Sequence, residues 1–273
     1  MINKTIVFMV PLLIAALGGL FTELAGVLNI ALEGLILTGA FAAIIATEIS
    51  GSFLIGISTA IVTSTLVALL FALTSLHLKG NIFVTGLAIN LLIPPLTAMI
   101  SKGLFGNKGV IRLDDSLGKQ GVMISIIILL FFTALTMIIL KYTPFGLYIR
   151  TAGINPSFLE ARAVKTRRIQ TFAILISGAA CGLAGALISL RLGVFIPGIS
   201  AGRGWIALVA IYLGNKKPFP ILAACFLFAL AETISDSAQG VIEIPATIIL
   251  SFPYFITIIG LIFYSIFKKD QHF

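Results

Sequence analysis

The side chains of this protein that could do chemistry are few, and several sit where a membrane would make them costly. In ELAGVLNIALEGLILTGAF, from Glu23 to Phe41, the polar residues Glu23, Asn29 and Glu33 interrupt a run long enough to enter a bilayer. An ionisable group at the centre of a membrane-spanning helix costs about 2.5–3.5 kcal/mol on insertion scales, so it requires a partner or a pathway. Asn29 and Glu33 are four residues apart and would share a helix face. They could line a polar path or hold a broken helix through freed backbone groups; Glu33 could equally lie near the membrane surface or cap a neighbouring helix. Gly26 and Gly34 flank the pair and would allow close packing or a break.

Two further stretches raise the same question. In TGLAINLLIPP, Thr85 and Asn90 precede Pro94 and Pro95, whose missing N–H groups should kink the helix. Asn90 could face a solute or bond to an adjacent helix. In RLGVFIPGISAGRGWIALVAIYLGN the only tryptophan, Trp205, follows Phe195, Pro197 and several glycines. An aromatic beside irregular backbone can stack on a flat ligand, whereas a tryptophan can also simply mark the membrane interface. The sequence SGAACGLAGA carries GxxxG spacing at Gly178 and Gly182, with Gly185 beyond, and reads as tight helix packing.

No enzyme site can be assembled. There are two histidines, His77 and His272, no phosphate-binding GxxxxGK[ST] loop and no nucleophile elbow, so no catalytic residues, metal ligands or bound cofactors are expected. Cys181 and Cys225 lie inside apolar runs without CxxC spacing and read as packing residues.

The elements that must position these groups follow from composition. With 59% apolar and 10% charged residues and a mean hydropathy of +1.15, the chain is an all-α integral membrane protein. Its 273 residues suit one transmembrane domain, 1–273, a polytopic bundle of about eight to ten helices, some interrupted, at roughly 20 residues per span. Phe53–Leu73, Ile82–Ile100, Val122–Leu140, Ile169–Leu190 and Thr247–Phe267 are continuous spans. Ala25–Ala46, Trp205–Leu213 and Phe219–Ser235 are compromised by polar residues or length. The N-terminal run is read as an uncleaved first helix, interrupted or bent near Pro11 and loosened by Gly18 and Gly19.

A net charge of +8 would suggest nucleic acid for a soluble protein, but here the charges cluster between apolar runs and specify topology, so nucleic-acid binding is not expected. Lys141, Arg150, Arg162, Lys165, Arg167 and Arg168 face one acid, Glu160, which places the loop of about 142–168 in the cytoplasm. Lys216, Lys217, Lys268 and Lys269 fall on the same side if Trp205–Leu213 crosses; Ser101–Gly121 then lies outside despite its basic residues. Within the loop, Asn155 is a suitable N-cap, Pro156 suits the first helical position, and a helix running to about Val164 would expose Phe158 and Leu159, with Glu160 early enough to favour the positive end. Such a helix suits docking to a cytoplasmic partner, or anchoring of the loop at the membrane interface. Glu232, Asp236 and Glu243 close the next apolar segment and read as outer-surface residues. Gly-rich interrupted segments near 26–39 and 193–214 give a weak internal echo of the kind that inverted-repeat transporters show.

Three stretches together, AGVLNIALEGLILTGAF, TAGINPSFLEARAV followed by SGAACGLAGA, and GRGWIALVAIYLGNKKP, resemble the permease subunits of ATP-binding-cassette (ABC) importers of the branched-chain amino acid, ribose and nucleoside type. The form GVLNIALEG is most similar to the nucleoside permeases. The resemblance implies a multi-pass protein of the bacterial inner membrane, a second permease subunit, a cytoplasmic ATPase pair that uses ATP, and an extracytoplasmic solute-binding protein or lipoprotein. It implies that Gly153, Asn155, Pro156, Phe158, Glu160, Ala161 and Arg162 form the ATPase-coupling loop. Asn29, Glu33, Thr85, Asn90, Phe195 and Trp205 are the translocation-path candidates. A nucleoside is the expected solute, with ribose or another simple sugar, or a branched-chain amino acid, as alternatives. One departure is Leu24, where nucleoside-type relatives commonly carry arginine; without that partner Glu23 reads as peripheral. Rival readings are a secondary transporter or channel, with Glu33 and Glu48 as its ion-coupling pair, and a structural membrane scaffold.

Overall fold

The computed structural model describes residues 1–106, 110–113 and 122–238. They form helices α1 (Ile2–Leu24), α2 (Leu32–Ser50), α3 (Phe53–His77, its last five residues a π-turn), α4 (Ile82–Phe105), α5 (Val122–Tyr142), α6 (Pro144–Ile154), α7 (Pro156–Ala161), α8 (Thr166–Leu192), α9 (Arg203–Leu213) and α10 (Pro218–Ala238). A single antiparallel pair, β1 (Ile111–Arg112) with β2 (Val194–Phe195), sets Ile111 opposite Phe195. Six of the described helices, α1, α2, α3, α4, α8 and α10, are long and apolar enough to cross a membrane, and α5 with α6 forms a bent pair with an angle of 74° at Thr143. The expected span Thr247–Phe267, with Glu243, Lys268, Lys269 and His272, lies outside the described residues.

α8 is the central pillar, packed against α1, α2 and α3. Lipid tails supply no hydrophobic driving force between helices, so close van der Waals contact must hold them together, and small residues let backbones approach. A Cβ on Gly182 would lie 2.5 Å from the Ala60 carbonyl oxygen of α3, and one on Gly39 of α2 would lie 2.5 Å from the Gly182 oxygen. Gly178 seats on Ser64 and Ala68, and Gly185 on Ile36 and Ala40. The GxxxG stretch is therefore a three-helix seam. Cys181 and Cys225 are buried packing residues, as read from the sequence.

Register fixes which ends lie together. α1 runs antiparallel to α8: Phe8 meets Arg191, Gly18 meets Ser177 and Ala180, and Ala25 meets Gln170. The basic end of the bundle therefore holds the C-terminus of α1, the 142–168 loop and Lys216, which reaches Glu23. The far end holds the N-terminus, β2 and, through the β1–β2 pairing, the segment that follows α4. Lys216 thus shares an end with the 142–168 loop, although α9, eleven residues long, makes only half a crossing. The other half is irregular chain, 196–202, running inward from β2.

Several expectations are corrected. α1 is not interrupted at Pro11, and α4 also continues as helix through Pro94 and Pro95, where Thr97 Oγ1 donates to the Pro94 carbonyl at 2.8 Å. The break lies after α1, at residues 25–31. Asn29 sits in it and Glu33 in the first turn of α2, so the two share no helix face. α7 ends at Ala161 rather than near Val164, because Ala163 adopts φ +59°, which no helix accommodates. In so short a helix Glu160 belongs to the last turn, and Leu159 is buried while Phe158 is exposed.

Replacing Gly182 by valine should overpack the α2–α3–α8 seam. The expected loss is about 1–3 kcal/mol, read as a lower midpoint of thermal unfolding in detergent. Substitution of surface-exposed Leu54 by valine should leave the midpoint unchanged.

Candidate functional site

The most polar part of the interior is built around the break between α1 and α2. Gly26 there takes φ +77°, and the chain turns back into the bundle. Backbone groups released by the break find fixed partners: Val27 N–H donates to the Thr22 carbonyl at 2.9 Å, and Gln170 Nε2 donates to the Ala25 carbonyl at 3.1 Å. Asn29 is buried and uses both ends of its amide. Its Oδ1 accepts from Ala31 N–H at 3.1 Å and its Nδ2 donates to Ser177 Oγ at 3.0 Å. Ser177 lies roughly 16 Å along α8 from Thr166 at about 1.5 Å per residue, so the break penetrates well into the bundle. Asn29 therefore ties the two sides of the break to each other and to α8.

Glu33 is the central group. Its Oε1 accepts from Gly202 N–H at 2.8 Å and its Oε2 from Gly204 N–H at 2.7 Å. Those amides open α9, whose own N-cap residue, Gly202, has no side chain to supply the acceptor and takes φ +73°. The partial positive charge of a helix N-terminus favours a carboxylate, and charge-assisted bonds of this kind are about twice as strong as neutral ones. Of the readings open for Glu33, the structure shows the helix cap. Gly204 makes it possible, since a Cβ there would collide with the backbone of Glu33. This end of α9 lies at half depth: Arg203 shares a cavity with Val10 and Pro11, midway along α1, and Ile211 reaches Gly19 nearer the basic end.

The other end of α9 is held by the same junction. Glu23 Oε1 accepts from Tyr212 Oη at 3.1 Å and pairs with Lys216 Nζ at 2.8 Å. Glu23 is thus not peripheral; its cationic partner comes from after α9 instead of from position 24. Beside this pair is a cavity of about 400 Å³ lined by Glu23, Leu24, Gly26, Arg150, Gly153 and Lys216, among others. Gly153 seats directly on the chain at Leu24 and Gly26, where a Cβ would collide with the Leu24 carbonyl. The 142–168 loop therefore touches the root of the break. Within it, Asn155 Oδ1 accepts from Phe158 N–H at 3.3 Å as the cap of α7, Pro156 opens the helix, and the Arg162 guanidinium lies 4.9 Å from the Phe158 ring.

The remaining candidates divide. Asn90 on α4 bridges helices, with Oδ1 accepting from Gly34 N–H and Nδ2 donating to the Ile30 carbonyl, both at 2.8 Å. Phe195 is fully buried in β2, with its ring 5.0 Å from that of Phe41. Trp205 is 42% exposed in the first turn of α9, at half depth rather than at its outer end. Thr85 is half-buried on α4. Glu48 is exposed near the end of α2, roughly 22 Å from Glu33 at about 1.5 Å per residue, so the two cannot form one ion-coupling site. The two Gly-rich segments that echo each other in sequence meet here, Glu33 from one capping α9 of the other.

Two groups escaped the sequence reading. Arg203 is buried and pairs with Glu232 of α10, which is only partly exposed, while Asp236 is exposed and pairs with Lys4 at 3.5 Å. The available signal was an arginine between two glycines at the head of an apolar run, which required a carboxylate elsewhere.

The family model described as branched-chain amino acid transport system / permease component matches residues 1–266, and the chain belongs to that family. It is 28% identical to the guanosine ABC transporter permease protein NupQ of Bacillus subtilis (strain 168), over 95% of this chain and 90% of that one. It is 27% identical to the nucleoside ABC transporter permease protein NupC of Lactococcus lactis subsp. cremoris (strain MG1363), with the same coverage. A solved structure of a metal-chelate type ABC transporter in an inward-facing conformation shares the fold, with a TM-score of 0.57 at 16% identity, over 98% of this chain and 85% of that one. The protein is a multi-pass permease of the cell membrane.

Glu33→Ala leaves the Gly202 and Gly204 amides without their acceptor, at an expected cost of about 1–3 kcal/mol for each. The thermal midpoint in detergent should fall and solute uptake should be lost. Glu33→Gln, which keeps an acceptor oxygen but not the charge, should fall between alanine and wild type in both.

Proposed function

We propose that this permease carries a nucleoside, as the membrane subunit of an importer driven by a separate ATPase. The observation that carries the choice of solute is the occupation of the α9 N-terminus by Glu33. In transporters with interrupted helices, half-helix N-termini at mid-membrane hold anionic groups of the substrate. In this chain the protein's own carboxylate fills that position. A branched-chain amino acid, whose carboxylate would need such an end, is disfavoured; an uncharged nucleoside or sugar is not. The exposed ring of Trp205, one residue beyond Gly204, offers a flat face to a base. The full-length similarity to guanosine and nucleoside permeases supports the same solute.

The chain's residues divide the work as follows. Glu33, Asn90, Thr85 and Trp205 border the path, whereas Asn29 and Phe195 hold its walls. The basic loop lies in the cytoplasm and presents α7 to the ATPase, with Phe158 outward and Leu159 as its anchor. Movement of α7 is passed through Gly153 to Leu24 and Gly26, and from that junction to both ends of α9, through Glu33 and through Glu23 with Lys216. A displacement of the loop therefore tilts the half-helix and opens the path to one side or the other. ATP is bound by the partner ATPase and no cofactor by this chain. A second permease subunit completes the channel, and an extracytoplasmic solute-binding protein or lipoprotein delivers the solute.

The assembled complex in proteoliposomes tests this reading. Guanosine or adenosine should stimulate ATP hydrolysis and enter the vesicles, while leucine should do neither; stimulation by leucine alone would overturn it. In the same assay Asn155→Ala, which weakens the α7 cap by about 1 kcal/mol, should lower nucleoside-stimulated hydrolysis without reducing helix content.

A further inference from the structure

A cavity in the far half of the bundle, reaching from the start of α9 toward the end of α8, is used neither by the Glu33 carboxylate nor by the coupling loop. It lies between α1, α5 and α8, has a volume of about 120 Å³, and is walled by apolar residues such as Phe8, Pro11, Ile128 and Leu187 together with Arg191 and Arg203. Arg203 is 9% exposed. Its Nη1 donates to the carbonyls of Ile199 (3.2 Å) and Ser200 (3.5 Å) and its Nη2 to Glu232, but its Nε is buried without a hydrogen-bond partner among the described residues. A buried N–H of this kind calls for an acceptor. Arg191, in the last turn of α8, lies 5.9 Å from the Phe8 ring and has no ion pair among the described residues. Two guanidinium groups therefore line the cavity, and only Arg203 has a carboxylate partner among the described residues, Glu232. The carbonyl end of α8 offsets part of the surplus charge beside Arg191.

We propose that this cavity binds a phosphodiester anion, and that its occupant is the headgroup of an anionic phospholipid whose acyl chain lies along the apolar wall. The space admits a group the size of several waters. Guanidinium donors match phosphate oxygens in geometry and in charge. The rim is apolar, with Leu192 59% exposed and Phe8 half-buried; a lipid can use such a rim and free phosphate cannot.

Native mass spectrometry of the delipidated permease in detergent tests the assignment, with phosphatidylglycerol, phosphatidylcholine and inorganic phosphate added separately. One phosphatidylglycerol should be retained, phosphatidylcholine several-fold less, and phosphate not at all. Arg191→Gln should lower phosphatidylglycerol retention several-fold. Leu187→Trp, which fills the cavity with both arginines intact, should do the same and serves if the arginine variant does not fold. Lys4→Gln, which removes a charge at the same end outside the cavity, should retain the lipid. Wild-type retention in both cavity variants, or an equal loss in Lys4→Gln, would overturn the proposal. Retention of phosphate in place of lipid would overturn the lipid occupant.

Discussion

A half-length helix inside a membrane bundle depends on what happens to the amides at its inner end. In water those N–H groups are solvated; within a hydrocarbon layer each must find an acceptor in the protein. α9 begins at half depth on a residue without a side chain, and the Glu33 carboxylate supplies both acceptors, to Gly202 and Gly204. The same contact accounts for a charged residue in an otherwise apolar segment. The carboxylate is stabilised by two amides and a helix dipole, so it needs no cation beside it.

The architecture around this contact is what makes it reachable. α1 must stop before α2 so that the chain can bend back into the bundle, and Asn29 holds the bend by bonding Ala31 on one side and Ser177 on the other. The glycine seam along α8 brings α2 close enough to the pillar for Glu33 to face α9, and Gly204 lets the two backbones touch. At the basic end, Glu23 with Tyr212 and Lys216 fixes the far terminus of the half-helix to the same α1–α2 junction. The half-helix is thus clamped twice by one short stretch of chain, and the loop carrying α7 rests on that stretch through Gly153.

Much of this was legible in the sequence where the signal is local. Apolar length located the long helices, GxxxG spacing located the seam, and Asn155 followed by Pro156 located the start of α7. Pairings between distant segments left no such mark. Nothing near Glu33 says that its acceptors serve residues 202 and 204, and nothing near Glu23 points to Lys216. Pro11 misled as a break for a physical reason: it removes one backbone donor, yet the packed bundle keeps α1 helical through it, as it keeps α4 helical through Pro94 and Pro95. Asn29 and Glu33 misled through spacing, because a four-residue interval implies a shared face only if the helix is continuous, and here it begins at Leu32. Arg203 and Glu232 show the converse, a partly buried ion pair visible in sequence only as two charges in separate apolar runs.

The measurement that bears most directly on this account is amide hydrogen exchange at the start of α9, followed in the purified permease and in its Glu33→Ala variant. If the carboxylate holds the helix terminus, the amides of Gly202 and Gly204 should exchange as slowly as those inside α9 in the wild-type protein. They should exchange rapidly in the variant, while α3 remains unchanged in both. Equal protection of the two glycine amides with and without the Glu33 carboxylate would contradict the claim that this contact organises the half-helix.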